Sequence, residues 1–465
     1  MIRLVPRERS FRDPSGFVFR AGGRVLRAVE PAAFATLQQF LGSEPAQSSA
    51  KANQLVRTWL PQRREFATEL TDGYCLAEHE PVPFASFPAE WPVEMLASAG
   101  RLTLELAAQC LPHGWRLKDA TPYNVLFRGP SPVFVDILSF ERRDPRDAIW
   151  PAYAQFVRTF LLPLLAGGAL APTWLAHRDG IEPEQLYPSL SWSRRLTSPG
   201  LTLVSLPQWF SRRAVADAGL YLPRPTSPDR ASFILSSTFR TLRRQLDRLS
   251  SPNRDSRWSK YLDTQTHYTA EQLAAKDRFV ASVLREFSPR RVLDVGANTG
   301  HFSEVAARSG ARVVAIDSDA DSVGRLWRRA SENTLDVLPL VVDLCRPTPA
   351  LGWRNSEATS FLDRARQGFD LVMMLAVVHH MLISERVPLE EILDLVAELT
   401  TGLLLIEFVE PSDPMFRRLA RGRDTLYSHL TAAHFESVCA NRFQIIRKQP
   451  IAESSRTLYL LRRER

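Results

Sequence analysis

The second half of the chain predicts an α/β fold, a doubly wound and mostly parallel sheet closed by a terminal antiparallel hairpin. Three observations carry this: near-continuous apolar runs alternate with amphipathic helical stretches, a glycine-bearing turn joins the first run to a helix, and acids stand at three successive strand ends. The first half lacks that alternation and predicts a separate α+β domain.

The elements follow in order. A helix is expected over Ala270 to Glu286, a strand over Arg291 to Val295, a helix over Phe302 to Arg308, a strand over Arg312 to Ile316 and a helix over Ala320 to Ala330. Further strands are expected at Val337 to Val342, Leu371 to Leu375 and Leu403 to Phe408, with a helix over Glu390 to Leu399 before the last. Strands this apolar, set between amphipathic helices, belong to a sheet covered on both faces. Phe443 to Arg447 and Thr457 to Leu461 are short β-like runs split by QPIAESS, which is the hairpin signature.

The segment from Val292 to Ser303, VLDVGANTGHFS, runs from strand through turn to helix. Gly296 and Gly300 allow positive φ and close approach of a ligand, and the helix that follows points unpaired N–H groups at whatever is bound. A G-x-G-x-x-G dinucleotide fingerprint laid on Gly296 meets Asn298 and His301 where glycines are needed, and a phosphate-binding P-loop would need Gly-Lys-Ser/Thr. What is left, Asp294 before a D-x-G-x-x-x-G turn, resembles motif I of class I S-adenosylmethionine-dependent methyltransferases, whose fold is Rossmann-like. Asn298 departs from the glycine common at that place, yet asparagine tolerates the left-handed conformation better than other non-glycine residues.

By that resemblance Asp317, ending the second strand, would hydrogen-bond both ribose hydroxyls of the cofactor, and Asp343, ending the third, would meet its adenine amino group. A carboxylate suits a vicinal diol. Each acid taken alone also reads as a helix N-cap. Leu375-Ala376-Val377-Val378-His379-His380-Met381 looks like the segment such enzymes place beside the sulfonium and the acceptor, with Ala376 against the cofactor. His379 and Glu407, the latter ending the fifth strand, are the two candidate catalytic side chains. Packing or capping is the competing role for His379, and solvent exposure for Glu407. Trp258, Tyr261, Tyr268 and Lys276 form either a lid over the cofactor or part of the core. The family's in-line methyl transfer calls for positioning and exclusion of water, and for no metal.

In the first half, Asp119, Asn124 and Asp136 within LKDATPYNVLF and PVFVD are spaced as in the catalytic loop of kinase-like phosphotransferases. There the first Asp orients a hydroxyl, and the Asn and second Asp hold magnesium. Lys118 stands where that family has His or Arg, and Ile137-Leu138 replaces Phe-Gly. The alternatives are an active lobe, a degenerate one, or a polar loop between strands. A hairpin over Gly16 to Glu30, turning at Gly22-Gly23, and an extended Glu78 to Pro83 fit either a reduced upper lobe and hinge or simple structural turns.

Length and charge bound the rest. At 465 residues the chain needs at least two domains, read as 1–225, a basic linker 226–257, and 258–465. The linker reading rests on PRPTSPDR and SSPNRDSR flanking a basic amphipathic stretch, Phe239 to Leu249. The net charge of +8 is spread along the chain without the aromatic-interleaved basic pattern of a nucleic-acid binder, so a nucleic-acid partner is not expected. Four scattered cysteines argue against a disulfide framework or a structural zinc. Met1 to Arg12 is charged throughout and has no apolar core, so a secretory signal is not expected, and Thr159 to Ala176 is broken by Pro163, Gly167, Gly168 and Pro172, so no membrane span is expected. The chain as a whole looks like bacterial methyltransferases that include nodulation-protein relatives. The resemblance implies a cytoplasmic enzyme acting on a small molecule or metabolite. Its rivals are a bifunctional protein that also phosphorylates and a non-catalytic scaffold or sensor that binds the cofactor.

Overall fold

A computed structural model describes residues 12–61, 73–167, 173–175, 177–211, 225–250 and 268–464. The chain divides into two units, Met1–Pro252 with Leu351–Ala358, and Asn253–Ala350 with Thr359–Arg465.

In the first unit, β1 (Gly16–Ala21) and β2 (Arg24–Val29) make the expected hairpin, and β3 (Thr58–Trp59) and β4 (Cys75–His79) extend it to a four-stranded antiparallel sheet ordered β1-β2-β4-β3. The turn takes Gly22 and Gly23 at φ +57° and +78°, conformations that favour glycine. The long helix Val93–Cys110 then leads to β5 (Trp115–Leu117), β6 (Val125–Arg128), β7 (Ser131–Phe134) and β8 (Phe140–Arg142). These pair antiparallel as β5 with β8 and β6 with β7. Among the described residues no helix is long and apolar enough to cross a membrane.

The stretch expected as a linker differs in the structure. Helix Pro228–Leu249 belongs to the first unit, packs on Val93–Cys110, and buries Ala231, Leu235, Phe239, Leu242 and Leu246. Leu246 lies so close to Gly100 that a Cβ there would stand 3.0 Å from its methyl. The apolar stripe is two turns longer than Phe239 to Leu249 because Ser227 caps the helix just ahead of Pro228, its hydroxyl accepting from the Arg230 amide. Residues 251–257 of the expected linker, with Trp258 and Tyr261 of the expected lid, lie outside the described residues.

The second unit holds one seven-stranded sheet ordered β11-β10-β9-β12-β13-β15-β14. Its strands are β9 (Arg291–Val295), β10 (Arg312–Asp317), β11 (Val337–Val341), β12 (Phe369–Met374), β13 (Thr400–Val409), β14 (Phe443–Pro450) and β15 (Arg456–Arg463). The first five are parallel. The terminal hairpin joins antiparallel with its second strand against β13. This is the Rossmann-like doubly wound sheet with a terminal antiparallel hairpin that the apolar runs predict. Strand order reverses at β9, which has β10 on one side and β12 on the other, and such a switch point opens a crevice at the carboxyl ends of the strands. One core, lined by Val292, Val313, Leu371 and Leu405, lies between the sheet and helix Ala270–Phe287 with its neighbours.

Candidate active site

At those carboxyl ends lies a cavity of about 440 Å³ lined by Gly296, Asn298, Asp317, Asp343, Ala376 and His380, among others. Five of the seven residues expected to hold a cofactor therefore share one concave site, of a size that suits a nucleoside-bearing molecule.

Backbone conformation builds the near wall. Gly296 (φ +70°), Asn298 (+51°) and Gly300 (+87°) all lie in the left-handed region, so the turn uses asparagine in the conformation expected of it. A Cβ on Gly296 would stand 3.0 Å from Val377, and one on Gly300 would stand 2.1 Å from Leu326. Asp317 ties the turn to the second strand: its carboxylate accepts from the Asn298 amide at 2.8 Å and the Asp319 amide at 2.9 Å. Burial nonetheless leaves the Asp317 carboxyl above its ordinary range, so an added pair of hydroxyl donors would be favourable.

Asp294 and Gly300 shape the cavity without lining it. Asp294 is buried beneath the turn and accepts from Ser303 Oγ at 2.6 Å, tying strand to helix. Burial pushes its pKa up to about 7. On the far wall Asp343 accepts from the Cys345 amide and pairs with Arg346 at 2.8 Å. Arg346 also pairs with Glu385 at 2.8 Å, a link across the rim. Ala376, just past β12, sits at φ +59°, a strained conformation for alanine of the kind found at ligand sites. No pattern in the sequence announces that strain.

The structure separates the two histidines. Helix Val378–Ile383 buries Val378, His379, Met381, Leu382 and Ile383, so His379 points into the protein while the exposed His380 faces the cavity. The His379 Nδ1 is buried without a hydrogen-bond partner, and burial drops its pKa to about 3, leaving a neutral ring. The expectation of a reactive contact at His379 thus shifts by one residue, because both histidines stand at the first turn of a helix with only one side to the crevice.

Glu407 is likewise corrected. It is fully buried, and both carboxylate oxygens are engaged: Lys276 Nζ donates to Oε2 at 2.7 Å and Tyr268 Oη to Oε1 at 2.5 Å. Arg456 pairs with Glu407 at 3.5 Å and with Asp413 at 2.8 Å, and also donates to Tyr268 Oη. Alternation along β13 explains this: Leu403, Leu405 and Glu407 face helix Ala270–Phe287, where Lys276 waits. Two cations and two anions balance, so Glu407 is a structural anchor whose two oxygens are committed to this network. Tyr268 and Lys276 belong to this network rather than to a lid.

In the first unit, the strand pairs bring the Lys118–Asn124 loop against Asp136–Ser139, with Lys118 N donating to Ser139 O at 2.8 Å. Asn124 Nδ2 donates to Ser139 Oγ at 3.1 Å, and Ser139 Oγ to Asp136 Oδ2 at 2.6 Å. The other Asp136 oxygen pairs with Arg27 of β2 at 2.8 Å. Burial raises the Asp119 carboxyl, and the nearby Asp136 adds to that, while Lys118 opposes it. No signal around β2 pointed to Arg27, whose partner is 109 residues away. Among the described residues no cluster of three His, Cys, Asp or Glu side chains is arranged to hold a metal ion.

Comparison with known proteins agrees with the geometry of the second unit. Residues 238–444 match a family described as a methyltransferase domain. Nodulation protein NoeA of Rhizobium meliloti (strain 1021) is 30% identical over 484 positions, covering 98% of this chain and 95% of that protein. Among solved structures, N-methyltransferase NodS from Bradyrhizobium japonicum WM9 is 14% identical with a TM-score of 0.32, covering 42% of this chain and 98% of its own. The bifunctional kinase-methyltransferase WbdD is 19% identical with a TM-score of 0.30, covering 41% of this chain and 38% of its own. At those scores neither structural likeness bears on substrate or mechanism.

Proposed function

We propose that this chain, which belongs to the family of nodulation protein NoeA and carries a methyltransferase domain in its C-terminal half, transfers a methyl group from S-adenosylmethionine to a small-molecule acceptor in the cytoplasm. The observation that carries the reading is the cavity that joins the Gly296–Gly300 turn to Asp317 and Asp343 at three adjoining strand ends.

The residues present fit such a cofactor. A Cβ at Gly296 would press on Val377 and narrow the wall, which is the mark of a cradle kept open for a ligand. Asp317 and Asp343 supply acceptors for ribose hydroxyls and an adenine amine. When bound, the cofactor supplies an activated methyl on a cationic sulfur, and the protein's share is orientation and exclusion of water. Ala376 and Val377 bring backbone and apolar surface to the cavity. His380 lines the same cavity, and in this reading it takes a proton from an acceptor hydroxyl or amine. Neutral His379 packs against it, ring centroids 4.4 Å apart, and holds it without competing for the proton.

Calorimetric titration of the full chain with S-adenosylmethionine and S-adenosylhomocysteine, with NAD and magnesium-ATP as controls, tests the reading. Saturable binding of the first two alone supports it, and no heat with either defeats it.

A second reading, phosphotransfer by the first unit, is favoured by the approach of Asp119, Asn124 and Asp136 through paired strands. Arg27 stands against it, since its guanidinium pairs with one Asp136 oxygen while Ser139 Oγ donates to the other, so a divalent cation would compete with both. Magnesium-dependent nucleotide binding would sustain this second activity.

A further inference from the structure

The first unit carries a surface that neither proposed reaction uses. Helices Trp192–Leu196 and Leu206–Ser211 both pack on the turn Leu201–Ser205, and both leave large apolar side chains in water. Trp192 is 74% exposed and Phe210 59%, with Leu196 and Trp209 exposed beside them. From Gln185 to Ser211 the chain carries Arg194 and Arg195 and no acid.

Helix Pro228–Leu249 adjoins this region, since Gln245 Nε2 donates to Thr202 Oγ1 at 3.5 Å. Away from its buried stripe the helix presents Phe233 (68% exposed), Ile234, Arg240, Arg244 and Arg248 to solvent. Positions 233, 240 and 244 fall on one face at helical spacing. The Nε atoms of Arg240 and Arg244 reach only carbonyls of their own helix, and among the described residues neither guanidinium meets a carboxylate. Arg243, on the other flank, does pair, with Asp247 at 3.4 Å.

We infer that this face, formed by helices Trp192–Leu196, Leu206–Ser211 and Pro228–Leu249, rests on the surface of a bilayer containing anionic lipid. Tryptophan, phenylalanine and leucine side chains mixed with guanidiniums that meet no carboxylate among the described residues match an interface whose headgroups are negative and whose interior is apolar. A single-stranded nucleic acid would use the arginines and stack on the rings, but Leu196 and Ile234 give nothing to a base and much to an acyl chain. A second copy of the chain would add its own arginines to an already basic face, so self-association is disfavoured by charge. The face supplies adhesion without a spanning helix.

The test is flotation of the full chain with vesicles of phosphatidylcholine alone and of phosphatidylcholine with phosphatidylglycerol at seven to three, in about 0.1 M salt and again in about 1 M. The wild-type chain is expected to float with the anionic vesicles at low salt and to stay down with the neutral ones. Arg240→Glu with Arg244→Glu should weaken partitioning roughly 25-fold or more. Trp192→Ser with Phe210→Ser should weaken it about tenfold or more. These side chains are exposed, so the fold should survive, and circular dichroism checks it. If either variant misfolds, the lipid and salt dependence of the wild type still decides.

The inference is overturned if the wild-type chain fails to float with anionic vesicles, or if both folded variants float as it does. It is overturned equally if sedimentation shows a dimer that the Trp192/Phe210 variant dissolves, or if an RNA oligonucleotide binds this face in preference to vesicles.

Discussion

Replacing Lys276 with methionine probes the buried network most sharply. The substitution keeps the length and apolar stem of the side chain and removes an ammonium that lies 2.7 Å from Glu407 and 3.1 Å from Tyr268 Oη. Glu407 is fully buried, and its remaining cation, Arg456, is 3.5 Å away and already committed to Asp413. Breaking a buried pair from one side costs about 3–5 kcal/mol, because an uncompensated charge is left behind. For a domain of about 200 residues that is on the order of 6–20 °C in Tm. Hydrogen exchange of the β13 amides in the full chain reads the second unit separately from the first. Adding Glu407→Gln removes the orphaned charge while leaving an acceptor for Tyr268, and should restore more than half of the loss. A single variant within about 0.5 kcal/mol of wild type, or a double variant as unstable as the two single losses summed, would refute the network's role.

Other outcomes follow from the same geometry. Gly296→Val and Asp317→Ala should each remove S-adenosylhomocysteine binding, by filling the cradle and by deleting the diol acceptor, whereas Asp119→Ala should leave it unchanged in the same calorimeter. His380→Ala should cut the methyl-transfer rate more than cofactor affinity once an acceptor is found; the opposite split would move the proton acceptor elsewhere. For Asp294, raised from 3.8 to about 7, the folded chain binds more protons than the unfolded chain between those values. Its contribution is therefore fully present below about pH 4 and is lost as pH rises through 7. Urea midpoints at pH 4.5 and 7.5 should show Asp294→Asn gaining on wild type at the higher pH by up to a few kcal/mol, and an equal difference at both would contradict that assignment.

How much of this was legible in the sequence depends on how far apart the interacting residues lie. The strands from Arg291 to Phe408 and the turn at Gly296 are legible because period and turn chemistry are local, and the left-handed conformation of Asn298 follows from its place in the turn. Helix Pro228–Leu249 was half legible. Its basic face and flanking turn residues suggested a connection, but its apolar stripe has meaning only against Val93–Cys110, more than a hundred residues earlier. The same distance hid the roles of Glu407 and Arg27. An acid at a strand end reads alike whether it faces a ligand or an ammonium, and Lys276 lies 131 positions from Glu407. Adjacent His379 and His380 could not be ranked by pattern, since one residue of helical phase, about 100°, decides which of them meets the crevice. The strain at Ala376 has no sequence signature, because alanine is an ordinary residue in every other conformation.

Hydrogen exchange of the full chain with and without saturating S-adenosylhomocysteine tests the central claim most directly, because it reports where the cofactor sits as well as whether it binds. The expected result is slowed exchange at Gly296 to Gly300, Ser318 to Asp319 and Ala376 to Met381, with Lys118 to Ser139 unchanged. Protection confined to Lys118 to Ser139, or none in either region at a saturating concentration, would contradict the assignment of the methyl-donor site to the carboxyl ends of β9, β10 and β11.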